Sequence, residues 1–444
     1  MTGTMSLADL SAKLLEHDEC LDTIWMLLAA MLVFFMHAGF SLLETGCVQY
    51  KNSQNILNKN LIVVTVGFLC WYFFGWALAF GPKDDPNEFA GSVGWAMDGF
   101  FDNPTLFRQW FFQGAFCATA STIVSGAIAE RTKLTAFGLF ILVMTSIVYP
   151  IVIYWGWSGE GFLNTAEGDS AFGPGYMDFA GSGLVHMVGG VAALCGSIIV
   201  GPRKGRFEPD TPEDKFHPHN VPFCVIGTFF LWFGWYGFNP GSTLAMHSVG
   251  DATSAGLVAA NTTLAPCVGG LVVFLLRRFA VAPKALDVPG FCNGLLAGLV
   301  GITAGCGTVK CWEAMIIGAI AGFVYQGWSM AMVLMKLDDV VDAVAVHGAC
   351  GVWGVLALGL FGDPDEGNGG NGLFYGGDQL WTQFMAIVVI AVWTSAWSIG
   401  VFLPLRLIGM LRLSDEFQEI GADIKEHSPS KGYAIGEREQ SSKV

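Results

Sequence analysis

The sequence predicts an all-α integral membrane protein of eleven transmembrane helices, with an inverted repeat relating spans 1–5 to spans 6–10, the N-terminus outside and the C-terminus in the cytoplasm. Three observations carry this: an apolar, charge-poor composition, a regular alternation of basic residues between the two sides, and one Asp–His spacing that occurs twice. Of 444 residues, 53% are hydrophobic and 13% charged, and the mean hydropathy is +0.52. Soluble domains carry roughly 25% charged residues, so a large soluble enzyme is excluded. The net charge of −15, from 22 Lys and Arg against 37 Asp and Glu, leaves no basic footprint for nucleic acid. The eleven Cys form no Cys-x-x-Cys pair and read as small core residues. Asp9, Glu16, Asp18 and Glu19 are wrong for a cleaved signal peptide.

Apolar runs fall at 22–43, 61–80, 109–128, 134–157, 181–200, 222–240, 254–276, 291–306, 314–335, 344–361 and 381–408. The basic residues test that count independently of hydropathy. One set of alternate connections holds Lys51, Lys59, Arg131, Lys133, Arg203, Lys204, Arg206, Lys215, Arg277, Arg278, Lys284, Lys336 and six tail residues from Arg406 onward, 18 of the 22. The other set holds Lys13, Lys83, Arg108 and Lys310. A missed or invented span would scramble this alternation. Three parts follow: an outer segment 1–21, a membrane domain 22–408 and a cytoplasmic tail 409–444. The 58 Gly, about twice the usual share, allow the close helix approach by which membrane bundles pack.

The fifth span is introduced by Asp178 and carries His186; the tenth is introduced by Asp339 and carries His347. Each Asp precedes its His by eight positions, each His follows a Val, and a Gly stands four residues later, at 190 and 351. Five spans separate the copies, so their orientations are opposed, the mark of an inverted repeat with its site near the midplane. Ionisable groups inside a bilayer are costly and usually functional. His186 and His347 are therefore read as one shared pore site, whose neutral rings offer donor and acceptor nitrogens. His37, with no counterpart, is expected to make an ordinary interhelical hydrogen bond. Asp178 stands where it can cap its helix through Gly181 or Ser182 or meet a cation. Asp339 and Asp342 are expected to cap the tenth span. No third ligand accompanies either pair, so no metal or cofactor is expected.

These residues resemble the ammonium transporters of the Amt/Mep/Rh superfamily. DFAGSGLVH (178–186) is similar to the family signature and DDVVDAVAVHG (338–348) to its second-half counterpart. FQGAF (112–116), WFGWYGFNPGS (232–242) and GLLAGLVGITAGCG (294–307) extend the likeness over nearly the whole chain. The resemblance implies a homotrimer in the plasma membrane, each protomer with its own pore, carrying ammonium or methylammonium. It assigns Trp157, Phe112 and Ser242 to an outer recognition site, with Asp178 stabilising it. Phe116 and Phe238 become a stacked gate, and His186 and His347 the pore pair; Gln113 neighbours the gate without an assigned role. The physics agrees, since aromatic faces attract a cation and a hydroxyl accepts an N–H. Trp157 and Ser242, absent together from the Rh branch, point toward a transporter that moves net charge.

LRLSDEFQEIGADIKEHSPSKGYAI (411–435) resembles plant-type tails that contact a neighbouring protomer, but Lys425 stands where those carry a phosphorylatable Thr. Pro240, where the family often has Ala, is expected to break the helix beside Ser242. Two other function classes compete. A sensor would signal through the tail or a partner, and an intramembrane hydrolase would use Ser182, His186 and Asp178. No counterpart Ser accompanies His347, so the chain is not read as an enzyme.

Overall fold

The computed structural model describes residues 6–81, 88–165, 169–430 and 432–433. Lys83, with Lys431, Arg438 and Lys443 of the tail, lies outside the described residues. The chain runs as α1 (Leu7–Cys47), α2 (Tyr50–Phe80), α3 (Thr105–Ala127), α4 (Leu134–Trp157), α5 (Ser182–Val200), α6 (Val221–Thr243) and α7 (Val249–Phe279). It continues as α8 (Val288–Thr303), α9 (Cys311–Leu334), α10 (Val344–Phe361) and α11 (Gln379–Leu407). Two short tail helices follow, α12 (Asp415–Ile420) and α13 (Ala422–Glu426). Between α4 and α5 lie two small antiparallel ribbons, Glu160–Gly161 with Asn164–Thr165 and Asp169–Ser170 with Gly173–Pro174.

Among the described residues, nine of these helices are long and apolar enough to cross a membrane. The other two expected spans coincide with α3, diluted by Arg108, Gln109, Gln113 and several hydroxyls, and with α8, which has 16 residues. The first two helices start well before their apolar runs. α1 begins at Leu7, where Ser6 and Asp9 form a reciprocal capping box, so the first helix takes in most of the expected outer segment. α2 begins near Tyr50 and buries Lys59 completely.

The bundle is closed by glycine contacts. α1 lies along α6, where a Cβ at Gly227 would stand 2.5 Å from the backbone nitrogen of Leu43. α7, α8 and α9 pack against one another, and α3 fits between α1 and α5. Seven Cys are buried and all eleven are free thiols.

One end of the bundle is tied by a buried ionic knot. Arg203, 6% exposed, gives Nε to Asp338 at 2.8 Å and one terminal nitrogen to Glu130 at 2.9 Å. Arg131, fully buried, donates to the Asp338 carbonyl oxygen and to the carbonyls of Ala127 and Gly201. The tail docks at the same end. Asp423 accepts from the Gln54 and Asn55 backbone N–H groups at the start of α2, and Lys51 donates to the Gln418 and Glu419 carbonyls. The described part of the tail is thus held on its own chain, and Lys425 stands near Glu416, 3.6 Å away.

Burial alone would raise the Asp338 carboxyl, but the Arg203 and Arg131 guanidinium groups outweigh it and hold the group well below the usual carboxylate range. A depressed acid contributes stability above its unfolded value, near ~3.9, and that stability is lost as pH falls through the folded value. Asp338→Asn strands a buried guanidinium and is expected to cost about 3–5 kcal/mol. In detergent melts its loss in Tm should persist from pH 8 to pH 5 and shrink only as the wild type itself weakens in acid; equal melting at neutral pH would refute the role.

Candidate functional site

The site is organised by two helices that each carry a π turn around a histidine. Ser182–Met187 opens α5 as a π turn and Val344–Ala349 does so in α10. Such wide turns interrupt the regular hydrogen-bond ladder and are frequent at functional sites. Their free N–H groups need partners, and Asp178 supplies them. One carboxylate oxygen accepts from Gly181 (3.0 Å) and Ser182 (2.9 Å), the other from Gly183 (2.8 Å), Leu184 (2.9 Å) and the Tyr176 hydroxyl (3.1 Å). Asp339 does the corresponding work in the second segment, accepting from Val344 at 2.7 Å. Asp342 does not cap. With φ of 60°, it turns its carboxylate toward α9 and accepts from the Tyr325 and Ser329 hydroxyls.

The two π turns meet where neither chain has a side chain in the way. A Cβ on Gly190 would overlap the backbone of Gly348, and one on Gly351 would stand 2.6 Å from the Ser182 carbonyl oxygen. That contact brings His186 and His347 together, Nδ1 to Nδ1 at 3.2 Å with the rings 25° from parallel. A 3.2 Å N···N approach requires one ring to donate and the other to accept. His186 also stacks on Trp235 (5.1 Å) and Phe238 (5.2 Å), and its Nε2 is buried with no hydrogen-bond partner among the described residues.

Beyond His186 the column continues as rings. Phe238 stacks on Phe116 at 4.0 Å, Phe112 tilts against Phe116 at 4.7 Å, and Trp157 meets Phe116 edge-on at 6.0 Å. Trp157 is aimed by its indole N–H, which donates to the Asp178 carbonyl oxygen at 2.7 Å. Ser242 sits in the 3₁₀ turn Pro240–Thr243 that ends α6, next to Gly241, whose missing side chain lets Phe112 approach. The Ser242 hydroxyl donates to the Phe238 carbonyl at 2.8 Å, leaving its oxygen able to accept. The turn is held by α1: Trp25 donates to the Thr243 hydroxyl, and Asp22 accepts from the Met246 N–H and faces His247 at 2.9 Å.

The structure therefore brings Trp157, Phe112, Ser242, Phe116, Phe238, His186 and His347 into one line. Asp178 stands beside that line, its carboxylate occupied by five donors. The Gln113 side-chain oxygen is buried and unpartnered. His37 departs from expectation: neither ring nitrogen has a hydrogen-bond partner among the described residues, and the ring packs edge-on against Phe34 instead. The Ser182 hydroxyl donates to the Val300 carbonyl and accepts from the Ala304 N–H, so it is spent on packing α5 to α8 rather than poised as a nucleophile. Among the described residues no group of three or more His, Cys, Asp or Glu is placed to hold a metal ion.

Sequence reasoning missed Trp235, although it stands three residues before Phe238 on the same helical face. It also missed Glu44, buried in the last turn of α1 with Asn60 and Ser125 as partners; its position just past the apolar run disguised it as a loop residue.

The profile of the Ammonium Transporter Family matches residues 24–432. The ammonium transporter Amt2 of Archaeoglobus fulgidus is 40% identical over 421 residues, covering 92% of this chain and 87% of its own. Ammonium transporter 1 member 3 of Solanum lycopersicum is 39% identical over 447 residues, covering 96% and 95%. Among solved structures, a protein described as "Sensor Amt Protein" superimposes with a TM-score of 0.82 at 32% identity, over 93% of this chain and 99% of its own. Mep2 of Candida albicans does so with a TM-score of 0.81 at 28% identity, over 95% and 94%.

The glycine contact yields a test. Gly190→Ala forces a methyl into the backbone of Gly348, and overpacking typically costs about 1–3 kcal/mol, more against an immovable main chain. Reduced folded yield and a lower melting temperature are expected, whereas Gly400→Ala on α11, where a Cβ meets nothing within 4 Å, should melt as wild type. Equal melting of the two variants would contradict the close crossing.

Proposed function

The chain belongs to the ammonium transporter family, and from that premise we propose that it carries ammonium across the plasma membrane through a pore within each protomer of a homotrimer. In this reading it crosses the bilayer eleven times, with α1–α5 and α6–α10 as inverted halves, the N-terminus outside and 409–444 as a cytoplasmic regulatory tail. The observation that carries the reading is the 3.2 Å pair of imidazoles behind a stacked phenyl gate.

Ammonium and potassium ions are similar in size and charge, so a charged site alone separates them poorly. Ammonium differs in donating hydrogen bonds and in having a proton to lose. At the outer end, the faces of Trp157 and Phe112 attract the cation while the Ser242 oxygen accepts one N–H. Asp178 acts here as a positioning residue, fixing Trp157 through its carbonyl and α5 through its carboxylate. The Phe116–Phe238 stack must part for passage. Beyond it the pore is apolar apart from the two histidines, and a full charge there costs several kcal/mol. Ammonium escapes the cost by giving up its proton, so that ammonia passes along the imidazoles; potassium has no such route. The proton follows separately and the cycle moves net charge. The competing readings are an electroneutral ammonia channel and a sensor that signals through the tail.

Voltage-clamped oocytes expressing the chain should show an inward current that tracks ammonium ion concentration at two external pH values, alongside uptake of labelled methylammonium. Uptake without current would favour the neutral channel; neither, at normal surface expression, would favour the sensor. Trp157→Leu should raise the half-saturation concentration roughly 5- to 30-fold, the loss of about 1–2 kcal/mol of cation–π attraction. His186→Ala or His347→Ala should abolish transport or its selectivity over potassium; unchanged selectivity in both would overturn the pore assignment.

A further inference from the structure

We propose that Glu44 is the proton acceptor on the tail side of the histidine pair, receiving the proton from His347 through a single water. The proposal rests on the charge-moving mechanism above and extends it to the far end of the pore.

Glu44 is 2% exposed and lies one turn beyond Phe40 on α1. Its carboxylate is gripped from two other helices. Asn60 of α2 donates to one oxygen at 2.6 Å and Ser125 of α3 to the other at 2.6 Å, while Asn60 itself accepts from Thr122. Gly126 leaves the space the carboxylate fills, since a Cβ there would stand 2.9 Å from Glu44 Oε1. Lys59, fully buried, with no hydrogen-bond partner among the described residues and its ammonium over the Phe137 ring, supplies a nearby positive charge. An acidic group is thus fully hydrogen-bonded inside the bundle, where ionisable side chains are costly and usually functional. Helix packing alone would be served by a neutral amide.

The cavity beside it indicates what the charge is for. Glu44 and His347 line the same small cavity, together with Phe40, Asn293 and Val346. Its volume is about 20 Å³, enough for one water molecule, which needs roughly 10–15 Å³ and two or more polar partners. His347, Glu44 and Asn293 are the polar residues of its lining. On its other side His347 contacts His186. The order along the pore is therefore His186, His347, water, Glu44.

The step conserves atoms. The proton released when ammonium becomes ammonia at the outer end reaches the imidazole pair. An N–H of protonated His347 breaks as the water takes that proton, and an O–H of the water breaks as Glu44 takes one in turn, leaving neutral imidazole, water and a carboxylic acid. The acid then releases its proton at the tail end, where ammonia recaptures it as ammonium.

Glu44→Gln tests this with little disturbance of packing, since the amide oxygen still accepts from Asn60 and the amide nitrogen can donate to Ser125. The ammonium-evoked current, at wild-type surface expression, should fall by at least about tenfold, as loss of a proton-transfer group does. A wild-type current in Glu44→Gln would overturn the role of Glu44 and leave the pore mechanism standing. Methylammonium uptake without current in the wild type would overturn the charge-moving reading and this proposal together. Should Glu44→Gln not reach the surface, Ser125→Ala decides, because it removes one of the two side-chain donors to the carboxylate while keeping the acid. The pH profile of its current should then be displaced, and an unmoved profile would overturn the proposal.

Discussion

Everything in the candidate site depends on the approach of α5 and α10 at Gly190, Gly348 and Gly351, where main chain touches main chain. That approach lets two imidazoles from residues 161 positions apart meet at 3.2 Å. The contact is possible only because each helix opens into a π turn at its histidine, which swings the ring toward the partner and leaves N–H groups without intrahelical acceptors. Asp178 and Asp339 take up those donors. Glycine, wide turn and acidic cap are three parts of one device. The Asp–x₇–His spacing with its following glycine is the trace that device leaves in the sequence.

The outer half of the site hangs from the same device. Asp178 spends its carboxylate on the π turn and its carbonyl on the Trp157 indole, so the aromatic platform and the histidine are referenced to one residue. Ser242 is referenced differently. Its turn is set by Pro240, which ends the regular run of α6, and by contacts from Trp25 and Asp22 on α1. The proline that departs from the common family pattern therefore sits inside a well-tied turn, with the Ser242 hydroxyl bonded back to Phe238, the residue that stacks on Phe116.

How much of this could be read from the sequence follows from what leaves a periodic or repeated signal. The nine strongly apolar helices announce themselves by hydropathy, and the histidine segments by being written twice. The two weaker helices also show as apolar runs, at 109–128 and 291–306, but more faintly, because α3 carries Arg108, Gln109 and Gln113 and α8 has only 16 residues. The cap role of Asp178 was legible, since it needs only local spacing. That of Asp342 was misjudged: its carboxylate answers to Tyr325 and Ser329 on another helix, a contact no local spacing encodes. Glu44 and Lys59 were hidden for the same reason. A carboxylate just past an apolar run reads as the start of a loop unless one knows that Asn60 and Ser125 converge on it. The knot of Arg203, Glu130 and Asp338 was visible only as loop charges on the basic side, though it joins three separate connections.

The two ends of the pore differ in a way that suits directional handling of a proton. On the Trp157 side the polar groups facing the line are few, a hydroxyl and ring faces, all of which can hold a cation without taking its proton permanently. On the tail side stands a buried carboxylate bonded to Asn60 and Ser125, with a lysine nearby. Between them the histidines offer nitrogen lone pairs in an otherwise apolar passage. In the proposed transport, a cation that enters from the aromatic side meets first a site that favours charge, then a region that penalises it, then the proposed acid–base group of opposite sign. On that proposal, this sequence of environments separates a proton-donating cation from an inert one of the same size. It needs no ring of charges and no cage of matching radius, because the discrimination lies in whether the ion can leave its charge behind.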